Sequence, residues 1–69
     1  MAFGSWTEKA MRKYMEKVVP VGYELHGDTH RGYVVTDDYR PGMKWTGKTP
    51  AEAMRKAGVW VPATCTGYN

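Results

Sequence analysis

Residues 41–57 read PGMKWTGKTPAEAMRKA and contain the plainest start and stop signals in the chain. Pro41 presets φ for the first central position of a turn, and Gly42 accepts the positive φ that a type II turn needs next. A short strand is expected at Met43–Trp45, with Met43 and Trp45 on one face and Lys44 and Thr46 on the other. Thr49, Pro50 and Glu52 then spell a helix start: a hydroxyl to accept a free N–H, a proline where its missing N–H costs nothing, and a carboxylate that closes a capping box. Gly58 is the matching stop. The predicted helix, residues 50–57, is roughly 12 Å long at about 1.5 Å per residue. It is too short to persist unless Ala53, Met54 and Ala57 pack on a neighbour.

Upstream of this stretch, Tyr33–Thr36 reads as a strand, and Val21–Leu25 alternates apolar residues with Gly22 and Glu24, as a strand with one buried face does. The run from His26 to Gly32 has a turn composition, so the two strands are expected to form an antiparallel hairpin. Earlier still, Ser5 followed by Glu8 is a capping box, and Ala10, Met11, Tyr14, Met15 and Val18 make one apolar stripe. Pro20 pushes Val19 away from helical φ/ψ, which ends that helix near Val18. Downstream, Val59–Val61 reads as a last short strand or an apolar anchor, and residues 63–69 as a flexible tail.

The expected fold is therefore a single α+β domain over residues 1–62, of order αβββα, with both helices on one face of a three-stranded antiparallel sheet. Its expected core is Met11, Tyr14, Met15, Val18, Tyr23, Leu25, Tyr33, Val35, Ala53, Met54 and Trp60.

At 69 residues the chain is near the lower limit at which a hydrophobic core holds a domain together without staples. Three tryptophans and five tyrosines favour a globule over disorder. One cysteine, Cys65, excludes an intrachain disulfide and points to a reducing, cytoplasmic setting. No run approaches the ~20 apolar residues that span a bilayer, so a soluble, unprocessed chain with no membrane partner is expected. Ten basic against seven acidic residues give a charge of +3, which suits an acidic partner, either nucleic acid or a protein surface.

No convergent catalytic set is present, so a noncatalytic protein without a cofactor is expected. His26 and His30 flank the hairpin loop with Asp28 between them, but no further ligands accompany them and no metal site is expected. Asp37 and Asp38 are adjacent and point to opposite faces of an extended strand, which suits strand termination and turn hydrogen bonds better than shared chemistry.

The candidate binding residues are basic. Lys9, Arg12 and Lys13 lie on the outer face of the first helix, and His30 and Arg31 lie in the loop. Arg40, Lys44, Trp45, Lys48, Arg55 and Lys56 interleave cations with an aromatic, as a surface that grips phosphates and stacks a base does. The same composition also suits a guarded sheet edge with Trp45 in the core. Turn and cap chemistry accounts for Pro41, Gly42, Thr49, Pro50, Glu52 and Gly58. It leaves Arg40, Lys44, Lys48 and Arg55 without a folding role, and these four are the first expected partner contacts.

Residues 32–57 resemble the core of the HicB antitoxin family: Gly32 and Tyr33 open a strand, Pro41 and Gly42 turn, and Gly47, Thr49, Glu52, Ala53 and Ala57 follow at the family's spacing. The chain differs in its leading helix and in lacking a separate C-terminal DNA-binding segment. The αβββα order is similar to the HicA messenger-RNA interferases, whose fold resembles a double-stranded RNA-binding domain. There a catalytic histidine follows glycine and serine. Here Gly27, Asp28, Thr29 and His30 stand nearest, without the serine and with the histidine displaced.

Val35, Thr36, Asp38, Tyr39, Arg40 and Pro41 are similar to the reactive loop of potato-type serine protease inhibitors, which would make Asp37 the specificity residue. A capped, compact fold with no convergent catalytic set leads to the expectation of a small noncatalytic protein, antitoxin-, inhibitor- or phage-regulator-like in manner, acting through a protein partner. The alternative is RNA or DNA binding through the basic face of the first helix and the Arg40–Lys56 surface, with a HicA-like ribonuclease as the catalytic form that the resemblance implies.

Overall fold

A computed structural model of the chain describes residues 6–65. Its elements run α1 (Glu8–Lys17), β1 (Tyr23–Asp28), β2 (Gly32–Asp37), β3 (Lys44–Gly47) and α2 (Pro50–Lys56). The αβββα order and the three-stranded antiparallel sheet are those expected, with β2 between β1 and β3.

The hydrogen-bond register sorts the side chains. Leu25, Val35 and Trp45 stand opposite one another, as do Tyr33 and Gly47, and this face meets the helices. Glu24, His26, Val34, Thr36, Lys44 and Thr46 form the uncovered face. The core between helices and sheet contains Met11, Tyr14, Leu25, Tyr33, Val35, Ala53 and Met54. Met15, Tyr23 and Trp45 pack against its border.

Helix α1 starts later than the Ser5–Glu8 capping box implies. Thr7 is the N-cap, and its hydroxyl accepts from Ala10 N–H at 3.0 Å. Ser5 lies outside the described residues. The other end also differs: Val18 was expected in the core but is exposed, and Val19 takes the buried place. The helix stops at Lys17, Val18 caps it by donating to the Tyr14 carbonyl, and the chain then swings so that the next side chain points inward. Val21, expected inside β1, is 86% exposed because the strand begins only at Tyr23.

The hairpin is longer than its composition suggested. Pairing continues to Gly27 opposite Tyr33 and Asp28 opposite Gly32, leaving only Thr29–Arg31 as loop. Gly27 permits this because it has φ +105°, and a Cβ there would collide with the Gly32 carbonyl oxygen. The Asp28 carboxylate fixes the loop by accepting from the N–H groups of His30 and Arg31 at 2.9 and 2.7 Å.

Helix α2 is built by the signals in the opening stretch. The Thr49 hydroxyl accepts from Glu52 N–H at 3.1 Å, and Glu52 reaches back to Lys48 N–H at 3.3 Å, one residue upstream of the usual capping-box partner. The stop is a Schellman motif, with Gly58 N–H on the Arg55 carbonyl and Val59 N–H on the Met54 carbonyl. Gly47 lets the helix approach the sheet: a Cβ there would lie 2.6 Å from Ala53 N.

Residues 59–65 form no strand. They are an anchor tied to both helices, with Tyr14 Oη donating to the Trp60 carbonyl (2.6 Å) and Trp6 Nε1 to the Pro62 carbonyl (2.9 Å). Arg55 Nη2 donates to the carbonyls of Val61 and Pro62. Val61 faces inward and Trp60 outward, so Trp60, expected in the core, is 75% exposed and contributes its backbone instead. Cys65, assigned by sequence to a flexible tail, is 1% exposed. Trp6 is the buried tryptophan, set edge-on to Tyr14 with ring centroids 5.3 Å apart. Residues 66–69, the remainder of the expected tail, lie outside the described residues.

Candidate functional site

The candidate basic residues do not form one surface. Arg12 binds Glu8 and, through Nη2, the Leu25 carbonyl at 2.9 Å, so it fastens α1 to β1. Arg55 holds the C-terminal anchor. Arg40 is built into the far end of the sheet: its Nε donates to Asp37 Oδ2 at 3.0 Å and its Nη2 to Tyr23 Oη at 2.9 Å. Its guanidinium carbon also lies 5.1 Å from the centroid of the Trp45 ring. Arg40 and Arg55 therefore do have folding roles, contrary to the sequence expectation.

Asp37 sits at the centre of that end. It is 8% exposed and accepts from Tyr39 N–H at 2.9 Å as well as from Arg40. These bonds, the Tyr39 amide first and Arg40 next, hold its carboxyl below the ordinary value of 3.8 despite burial. Arg40 is correspondingly raised, chiefly by its bond to Asp37. A carboxylate enclosed in this way is not presented to a protease, so the Asp37 specificity residue implied by the inhibitor resemblance is not available there.

Around this lock, two connections meet. The α1–β1 connection and the β2–β3 connection are joined by Asp38 N–H donating to the Gly22 carbonyl at 2.9 Å. The Tyr39 ring lies over Gly22, where a Cβ would be 2.6 Å from ring atom Cε2. Val18, Val21, Tyr39 and Met43 are exposed at this end, Tyr39 by 76%. Beside them runs a groove of about 390 Å3 between the end of α1 and the start of β1, lined by Met15, Val19, Pro20 and Tyr23 among others. The sequence carried one signal for this cluster: Val21, though read as the start of a strand, stands between Pro20 and Gly22, and Tyr39 stands within a turn.

At the opposite end of the sheet a cleft of about 580 Å3 opens between the hairpin loop and α2. Thr29, His30 and Arg31 line it from the loop, Thr46, Gly47 and Lys48 from the end of β3, and Glu52 and Lys56 from α2. The register that sets Tyr33 opposite Gly47 brings these separate segments together. Of the basic residues singled out in the sequence, His30, Arg31, Lys48 and Lys56 meet here. Lys9 and Lys13 remain on the outer face of α1, Lys44 on the uncovered sheet face, and Trp45 beneath Arg40.

No family model, curated protein or solved structure matches the chain significantly.

Among the described residues no three His, Cys, Asp or Glu side chains are placed to hold a metal ion. His26 Nε2 lies 3.2 Å from Thr36 Oγ1 on the uncovered face, away from His30 in the loop. No described helix is long and apolar enough to cross a membrane.

Proposed function

We propose that the protein is a small noncatalytic binding module, antitoxin- or inhibitor-like in manner, that receives a protein partner at the end of the sheet carrying Val21, Tyr39 and Met43. The observation behind this reading is the placing of exposed apolar side chains on two connections that are joined by the Asp38–Gly22 hydrogen bond and by the Tyr39 ring over Gly22. Exposed apolar residues scattered singly need no explanation, whereas a cluster beside a groove is the arrangement of a protein contact.

The Asp37–Arg40–Tyr23–Trp45 lock supports the reading in a second way. A loop ordered before binding loses less conformational entropy on association, and Tyr and Arg are residue types enriched where binding energy concentrates. The polar lock also leaves Tyr39 free to present its ring, since only its backbone N–H is engaged by Asp37.

The test is capture from nuclease-treated host extract with the tagged wild type, Tyr39→Asp, Val21→Asp and the distant control Lys44→Glu. A specific protein retained by wild type and Lys44→Glu and lost by both apolar-end variants is the expected result. Retention by all four proteins, or recovery of no protein, overturns the reading.

A further inference from the structure

We infer that the cleft at the hairpin end is a second binding site, for the phosphate backbone of a polynucleotide. This site is separate from the apolar end: the two lie at opposite ends of β2, roughly 17 Å apart at about 3.4 Å per residue.

Three cations, Arg31, Lys48 and Lys56, line the cleft against one carboxylate, Glu52, an excess of two positive charges among Lys, Arg, Asp and Glu. Both oxygens of Glu52 are already engaged, Oε2 by Lys48 N–H and Oε1 by Lys56 Nζ at 3.4 Å. Arg31 and Lys48 form no ion pair among the described residues. The cations come from a loop, a connection and a helix that are distant in sequence. The clustering is therefore a product of the fold, distinct from the ordinary solvated side of one helix.

The loop that carries Arg31 is held by Asp28, which turns its carboxylate to the backbone of His30 and Arg31 and leaves their side chains exposed. Thr29 and Thr46 add exposed hydroxyls of the kind that donate to phosphate oxygens.

The chemistry of the lining selects among anionic ligands. Protein interfaces are centred on a desolvated apolar or aromatic patch, and none of the exposed large apolar side chains lies in the cleft, where Tyr33 is buried and Val34 half-buried. A tight site for a free nucleotide encloses its ligand and orients it with fixed polar groups. Here the cations are exposed side chains spread around an open cleft. Spread, solvated cations fit a ligand that supplies several phosphates at once, where affinity comes from release of counterions.

The experiment measures binding of fluorescein-labelled mixed-sequence 20-mers, single-stranded RNA, single-stranded DNA and duplex DNA, to the full chain between 50 and 200 mM salt. With the two phosphates that Arg31 and Lys48 can neutralise, log K should fall against log salt with a slope of about −1.4 for a single strand or about −1.8 for a duplex, roughly a 7- to 12-fold loss over that range. Arg31→Ala and Lys48→Ala should each reduce the slope by about 1, while Lys44→Ala, which removes the same charge from the uncovered face, leaves it unchanged. Tyr39→Asp should still bind, which keeps this result independent of the protein-partner reading. Circular dichroism of each variant checks that it is folded.

Absence of binding at 50 mM salt overturns the inference, as does equal sensitivity to Lys44→Ala. Competition by adenosine monophosphate as strong as that by the 20-mer at equal phosphate would make the cleft a small-anion site. Equal competition by polyglutamate would make it a surface for acidic protein. Either result also overturns the inference.

Discussion

Gly47→Ala probes the contact on which both the helix layer and the basic cleft depend. The added methyl would sit 2.6 Å from Ala53 N and 2.9 Å from Glu52 Cβ. The obstruction includes backbone, so no side-chain rotation relieves it, and α2 must move away from β3. Overpacking of this kind costs about 1–3 kcal/mol. The alanine also restricts the unfolded chain, which returns about 0.4–1 kcal/mol. The net expectation is a destabilisation of about 1–2 kcal/mol, which lowers Tm by roughly 4–16 °C in a domain of this size.

Thermal and urea unfolding followed by circular dichroism measure the effect, with Thr46→Ala, on the uncovered face, as a control expected to stay near wild type. A Gly47→Ala protein as stable as wild type would contradict the helix–sheet contact. Because Gly47 also lines the cleft, the variant should weaken polynucleotide binding without changing any charge.

Three further outcomes follow from individual contacts. Asp37 has a folded-state pKa below its ordinary value of 3.8, so its stabilising contribution is present above that value and is lost as pH falls through the lower, folded-state value. Asp37→Asn should lower Tm at pH 7 and flatten the acid side of the Tm–pH profile, and an unchanged profile would refute the lock. Cys65 should react with a thiol reagent slowly in the native protein and at once in denaturant, because it is 1% exposed; immediate native reaction would mean that the anchor is not held. Trp6→Ala should cost about 3–5 kcal/mol and Trp60→Ala within about 0.5 kcal/mol, compared by urea unfolding, and similar losses would contradict the assignment of the two rings.

The sequence was most legible where structure is decided locally. Thr49, Pro50, Glu52 and Gly58 carry the start and stop of α2 in their own chemistry, and neighbouring residues are enough to read them. Boundaries set by the next element were not legible. Val18 and Val19 exchange places because the chain must leave α1 and enter β1, and periodicity along α1 contains no information about that turn. Gly27 read as loop because glycine is common in turns, while here its positive φ lets the strand run three residues past Leu25, to Asp28.

Least legible were groups joined only by tertiary structure. Trp60 and Trp6 look equally suited to a core. Their roles are assigned by Arg55, Tyr14 and Trp6 reaching the backbone of residues 60–62, contacts between segments without regular periodicity. Arg40 looked unused because Asp37, three residues before it, read only as a turn acceptor and Tyr23 is reached only in the fold; Arg55 looked unused because its partners are backbone carbonyls of Val61 and Pro62. For the site, His30, Arg31 and Lys48 were recognisable as basic candidates, but their common cleft exists only through the pairing of β2 with β3. The apolar end was missed because Val21 read as part of a strand and Tyr39 as a turn residue.

Amide hydrogen exchange of the chain alone and in complex with the captured partner shows whether a protein binds at the Val21–Tyr39–Met43 end. New protection is expected only at residues 18–23 and 38–43, with the Thr29–Arg31 loop and Lys48 unchanged. Protection centred on the hairpin loop and the start of α2, with residues 18–23 and 38–43 unaffected, would contradict binding at the apolar end.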